Sequence, residues 1–94
     1  LLRLHDSLGW NITQPMPIPP EFKWISEVGL ISNKEMHRTF NMGLGMVLAV
    51  SPNYAQEVLN WLNNRLSGCK IIGIVNDNGH RVTHIDPKVI FEHY

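Results

Sequence analysis

Four of the chain's six prolines fall in one short run, Gln14-Pro15-Met16-Pro17-Ile18-Pro19-Pro20. Each proline fixes φ, lacks an N–H and pushes its predecessor away from helix, so the run can be neither a helix interior nor the middle of a sheet. Residues 1–19 are therefore read as an extended connection, with Trp10, Ile12, Met16 and Ile18 as its anchors. The last prolines also start something. Proline is well placed in a first helical turn, and Glu21-Phe22-Lys23-Trp24-Ile25-Ser26-Glu27-Val28 predicts a helix from Pro19 or Pro20 to a stop at Gly29. Phe22, Ile25 and, less squarely, Val28 share one of its faces.

Ser32-Asn33-Lys34-Glu35 has the form of a capping box and predicts a short helix from Asn33 to about Phe40. Behind it lies the clearest strand pattern in the chain, Met42 to Val50. Met42, Leu44, Met46, Leu48 and Val50 alternate onto one face, leaving Gly43, Gly45, Val47 and Ala49 on the other. Ser51-Pro52 opens a helix through Leu66, with Ala55, Val58, Leu59, Leu62 and Leu66 at helical spacing and Gly68 beyond its end. Lys70–Val75 and His80–Ile85 are β-rich runs about Asn76-Asp77-Asn78-Gly79, and predict a hairpin. Residues 86–94 form a tail with an apolar run able to dock. The expectation is an α+β fold, with helices packed on one face of a small, mainly antiparallel sheet, ordered helix-helix-strand-helix-hairpin over residues 20–85.

Ninety-four residues suffice for one domain, and 44% apolar against 17% charged residues marks a chain that folds around a core. Eight basic residues balance eight acidic ones, so the electrostatic footprint of a nucleic-acid binder is absent. No apolar run is long enough to cross a bilayer. The one cysteine, Cys69, excludes an internal disulfide and favours a reducing, cytoplasmic setting; beside Lys70 it reads as a small hydrophobe. The chain does not open with Met, and three strands make a thin sheet, which together suggest part of a larger domain.

Chemistry-bearing patterns are few. His80 and His84 face the same way along a strand but lie roughly 13 Å apart, too far to share an ion, and His5, His37 and His93 have no ligand-spaced partner. No metal site is expected. The hydrolase elbow, the Walker loop and the zincin helix are all missing. One run stands out: Glu35-Met36-His37-Arg38-Thr39-Phe40-Asn41-Met42-Gly43-Leu44-Gly45-Met46. Gly43 and Gly45, two apart, leave room for a ligand or for a closely packed element. Arg38, Thr39 and Asn41 gather at a helix-to-strand junction, where Arg38 either forks onto a phosphate or holds a carboxylate of the fold.

That run closely resembles the signature of the C-terminal domain in the phosphoribosylformylglycinamidine cyclo-ligase (aminoimidazole ribonucleotide synthetase) family. Pro20–Gly29 is similar to the family's Pro-x-x-Phe-x-Trp helix, and Lys70–Val75 to its Ile-Gly-x-Val strand. The resemblance implies a ligase of purine biosynthesis that uses ATP and Mg2+ to cyclise formylglycinamidine ribonucleotide to aminoimidazole ribonucleotide. In that family ATP activates the formyl oxygen as a leaving group and the amidine nitrogen closes the ring, a reaction that rests on positioning and charge stabilisation. It also implies a cytoplasmic homodimer.

Carried over position by position, the resemblance makes Arg38, Thr39, Asn41, Gly43 and Gly45 active-cleft or substrate-side candidates, and it assigns no catalytic residue. Family members carry an N-terminal domain that supplies most ATP and Mg2+ contacts, and a glycine-rich opening to the C-terminal domain. This sequence shows neither. Residues 1–94 are accordingly expected to be the latter part of that C-terminal domain, inactive alone. A non-catalytic protein-interaction module retaining the fold is the alternative. A relative of selenophosphate synthetase or thiamin-monophosphate kinase fits the Arg38–Gly43 run less well.

Overall fold

A computed structural model describes residues 1–93 and shows an α+β chain. A 3-10 turn at Leu2–Leu4 leads to β1 (Gly9–Ile12), then α1 (Pro20–Gly29), α2 (Asn33–Thr39), α3 (Ala55–Asn63), β2 (Gly73–Asn76) and β3 (Val82–His84). Tyr94, at the end of the tail, lies outside the described residues.

The sheet departs from expectation. It runs in the order β2-β1-β3, with β1 antiparallel to β2 and parallel to β3. The predicted hairpin does not pair with itself, because β1, from the stretch read as a connection, lies between its two arms. The physical reason is burial. Trp10 is 6% exposed in β1, whereas a two-stranded ribbon from residues 70–85 would have left its central face bare. The prolines still act as expected, ending the strand before Pro15 rather than preventing it. Gly9 permits the arrangement: a Cβ there would strike the Gly79 carbonyl and come within 2.6 Å of Asn76 Oδ1, so the 77–81 loop can cross the strand end only over a bare residue.

The second departure is residues 42–50, which form no strand. Asn41 O accepts Leu44 N–H at 3.0 Å, and Met42 and Gly43 have φ of 53° and 95°, the values of a type I′ turn. Beyond it Met46 is 82% exposed and Leu48 56% exposed, with no neighbouring strand. An apolar alternation makes a strand only where a partner satisfies its N–H and C=O groups.

The helices follow local rules more closely. α1 spans Pro20–Gly29, but its C-terminal turn differs in detail: Leu30, at φ 53°, takes the left-handed position, with Leu30 N–H donating to Glu27 O and Ile31 N–H to Ser26 O. Gly29 serves packing instead, since a Cβ there would lie 2.9 Å from Ile31 Cδ1. α3 is shorter than predicted, because residues 51–54 close as a turn through Tyr54 N–H and Ser51 O, 3.0 Å apart. At its far end Asn63 brackets Cys69, accepting its N–H and donating to its carbonyl.

The core is small: Leu2, Trp10, Met36, Met42 and Val89 are its buried apolar residues among those described. α1 and α3 bury none. α1 leans on α2 through Phe22 and Phe40, ring centroids 5.6 Å apart, and helix-to-sheet contact is slight. The accessible surface is 7099 Å², against about 5,500 Å² for a compact monomer of this mass. The radius of gyration is 14.3 Å, against about 12 Å for compact packing. The chain is therefore flattened, with more apolar surface outside than its core can absorb.

Candidate functional site

The Glu35–Met46 run becomes the end of a helix and a tight turn. Ser32 Oγ accepts Glu35 N–H at 3.2 Å and caps α2. The reciprocal half of the capping box does not form, because the Glu35 carboxylate faces the next turn: Arg38 Nη1 donates to Oε2 at 3.3 Å and Thr39 Oγ1 to Oε1 at 3.2 Å. Both partners of the ion pair are about half exposed, so it contributes ~0–1 kcal/mol; its effect is to orient Arg38. Arg38 thus holds a carboxylate of its own helix.

After α2 the backbone extends at Phe40 and the turn follows. Asn41 Oδ1 accepts Gly43 N–H at 2.8 Å, which locks the turn. The two glycines separate in character. A Cβ on Gly43 would lie 2.8 Å from Pro19 Cδ and 3.1 Å from Pro17 O, so the proline run occupies that bare spot, whereas nothing lies within 4 Å of a Cβ on Gly45. The structure brings Arg38 and Thr39 together on Glu35, sets Asn41 and Gly43 in the turn, and leaves Gly45 open beyond it.

The tail completes the surroundings of Arg38. Val82 and Phe91 exchange backbone hydrogen bonds of 2.8 and 3.0 Å, Val89 is buried, and the chain end docks against β3. Lys34, Arg38, Ile90, Phe91, Glu92 and His93 line a shallow hollow of about 240 Å³. Lys34 Nζ and the Arg38 guanidinium sit 5.6 and 5.7 Å from the Phe91 ring centroid. Lys34 and Arg38, the latter already paired with Glu35, face this hollow beside one lining carboxylate, Glu92, so Lys34 is the cation that no carboxylate of the described residues pairs with. Lys34 and Phe91 carry no sequence motif, and only the docking of the tail brings Phe91 beside α2.

A second cluster ties α2 to the end of β3. The rings of His37 and His84 meet edge to face with centroids 4.8 Å apart. His37 Nδ1 lies 2.8 Å from Asn33 O, so it carries the proton, and His84 Nδ1 accepts Asp86 N–H at 3.0 Å. Asn33 Nδ2 donates to Asp86 Oδ2 at 2.8 Å. Burial, and secondarily the neighbouring His37, hold the His84 pKa below its ordinary value, partly offset by Asp86. Hydrogen bonds from the Asn33 side chain and then Lys88 N–H hold the Asp86 carboxyl below its own.

The histidine pair does not make a metal site. With Nδ1 accepting from the backbone, neutral His84 has its proton on Nε2 and no lone pair to offer there. Among the described residues no group of three or more His, Cys, Asp or Glu side chains could hold a metal ion, and no helix is long and apolar enough to cross a membrane.

Comparison with known proteins shows the family. The family model for the AIR synthase related protein, C-terminal domain, matches residues 3–86. The chain is 48% identical over 60 residues to a chloroplastic phosphoribosylformylglycinamidine cyclo-ligase of Arabidopsis thaliana, covering 63% of this chain and 15% of that protein. It is 36% identical over 86 residues to the phosphoribosylformylglycinamidine cyclo-ligase of Methanopyrus kandleri, covering 92% and 25%. It is 46% identical over 59 residues to that of Geobacillus kaustophilus, covering 63% and 17%. No solved structure matches the chain. The matched region spans a quarter or less of the length of these curated relatives. With a family match running from Arg3 to the α2-binding Asp86, the chain belongs to the family of the AIR synthase related protein, C-terminal domain.

Proposed function

We propose that this chain works as the latter part of the C-terminal domain, residues 1–94, of an ATP-dependent ligase that cyclises formylglycinamidine ribonucleotide to aminoimidazole ribonucleotide in purine biosynthesis. The observation that carries the reading is the family match over residues 3–86, joined to relatives that bear the cyclo-ligase name. Arg38, Thr39, Asn41, Gly43 and Gly45 are the active-cleft positions of this reading. The cationic side of α2 supports a role in meeting a phosphate-bearing substrate or ATP. The fit to the cofactors is uneven. Lys34 and Arg38 suit phosphate oxygens, but no described carboxylate cluster suits Mg2+, so in this reading the metal is held by other parts of the enzyme.

The full-length protein is read as a cytoplasmic homodimer, and the isolated chain as inactive. Steady-state turnover of the full-length enzyme tests the site: Arg38→Ala should lower kcat/KM at least tenfold with an unchanged melting temperature, and unchanged kinetics would remove Arg38 from the cleft. ATP turnover by the 94-residue chain with substrate would overturn its dependence on the rest of the enzyme.

The exposed Met46–Val50 segment favours a second reading, a protein-interaction module keeping the same fold. Light scattering after size exclusion tests it: the module reading requires association that Met46→Lys abolishes, and a monomer both before and after the substitution would overturn it.

A further inference from the structure

One face of the sheet carries a polar hollow that shares no residue with the α2 site. It has a volume of about 210 Å³ and is lined by Asn11, Asn76, Asn78, Arg81 and Thr83. Strand register builds it. Asn11 pairs with Thr83 across β1 and β3, and Gly9, two residues before Asn11 and so on the same face, pairs with Asn76 of β2. Gly9 has no side chain, and the Gly79 carbonyl and Asn76 Oδ1 occupy the space where one would have stood, which draws the 76–81 segment in beside Asn11.

Its hydrogen bonding is biased toward donors. Asn11 Oδ1 accepts from Thr83 Oγ1 at 3.0 Å, and Asn76 Oδ1 accepts Asn78 N–H at 3.1 Å. Each amide has thereby committed its oxygen to the protein and kept its NH2 group uncommitted among the described residues. Arg81 adds a guanidinium with no carboxylate within ion-pair distance; the ion pair found among the described residues is Arg38–Glu35. Its backbone is clamped, with Arg81 O accepting Trp10 N–H at 2.8 Å and Arg81 N–H donating to Gly79 O at 2.9 Å. Gly79, at φ 118°, makes room for the guanidinium, since a Cβ there would fall 2.8 Å from Nη2. No acidic side chain lines the hollow.

We propose that Asn11, Asn76 and Arg81 form a binding site for an oxyanion group, a carboxylate or a phosphate, carried by a small molecule. The amide NH2 groups and the guanidinium supply N–H donors alone, which oxyanions accept from and cations do not. The volume of about 210 Å³ leaves space beyond a bare oxyanion, enough for a small organic body that carries the group. The site is independent of the cyclo-ligase reading.

Side-chain amide NMR of the 94-residue chain, at constant ionic strength set with chloride, tests it in two arms. Inorganic phosphate or acetate should shift the Asn11 and Asn76 NH2 resonances and the Gly79 amide along a saturating curve. Saturation by phosphate alone assigns a phosphate-bearing ligand, and by acetate alone a carboxylate. Arg81→Gln should weaken the binding at least tenfold, Arg81→Lys less, and Asn11→Asp should abolish it, each with otherwise unchanged spectra. Linear shifts in both arms, or equal affinity in Arg81→Gln, would overturn the site. Saturation at Lys34 and Arg38 without change at Asn11 would do the same. Should Asn11→Asp unfold the chain, the exposed Arg81 pair still decides the outcome.

Discussion

Residues 9–12 and residues 42–50 reverse each other's expected roles. The first are followed closely by four prolines and contain two apolar residues, Trp10 and Ile12, yet they form the central strand. The second have the best alternation in the chain and remain unpaired. Alternation states which residues could share a buried face; pairing requires a neighbour whose backbone is also unsatisfied. β1 finds two such neighbours. Met46–Val50 finds none among the described residues, and its side chains stay in solvent.

The largest test of this contrast is truncation at each place. Trp10→Ala should destabilise the chain by about 3–5 kcal/mol, as large-to-small changes in a core do, and Leu48→Ala should stay within about 0.5 kcal/mol because its side chain is already exposed. Denaturant midpoints for the two variants give the comparison directly; similar losses would mean that 46–50 is packed after all. Trp10→Phe refines it. Trp10 Nε1 is buried without a hydrogen-bond partner, so removing the N–H offsets part of the lost packing, and the cost should fall well below that of alanine.

A smaller effect separates local from tertiary causes. Leu30 holds the left-handed position after α1 while 92% exposed, so Leu30→Gly should raise stability by about 1 kcal/mol, read as a higher melting temperature. No gain would mean that the Leu30 side chain contributes packing beyond its exposure.

The smallest effect is pH dependence at the edge of the paired region. His84 has a folded-state pKa below 6.5, so the unfolded chain takes up the proton at higher pH. Its contribution is complete above about pH 6.5 and is lost as pH falls below that value. The melting temperature should therefore rise between pH 5 and 7, and His84→Gln should flatten the rise. Asp86 acts in a lower window: its carboxylate contributes above its ordinary pKa of 3.8 and is lost on further acidification. A flat profile in the parent chain would remove the histidine contact as a source of stability.

The candidate site was legible to unequal depth. Arg38, Thr39 and Asn41 stand in a contiguous run, and Ser32 announces the helix that carries them, because capping acts over three residues. The use of Glu35 by Arg38 and Thr39 was open in the sequence, since the same carboxylate could have turned back to the cap. The meeting of His37 with His84, and of Lys34 with Phe91, had no local signal. Both depend on β3 and the tail closing beside α2. Gly43 and Gly45 looked equivalent by spacing, and only the position of Pro17–Pro19 distinguishes them.

The sequence by itself determined the helices within a turn or so, the exclusion of the proline run from helix interior and sheet, the absence of strong net charge and the family motif. These depend on φ restriction, capping and side-chain spacing, all of which act between near neighbours. Tertiary structure decided which runs became strands, their order, and which polar groups face one another. A strand is completed by hydrogen bonds to residues far away in the chain, and no local pattern states which partner will be there to make them.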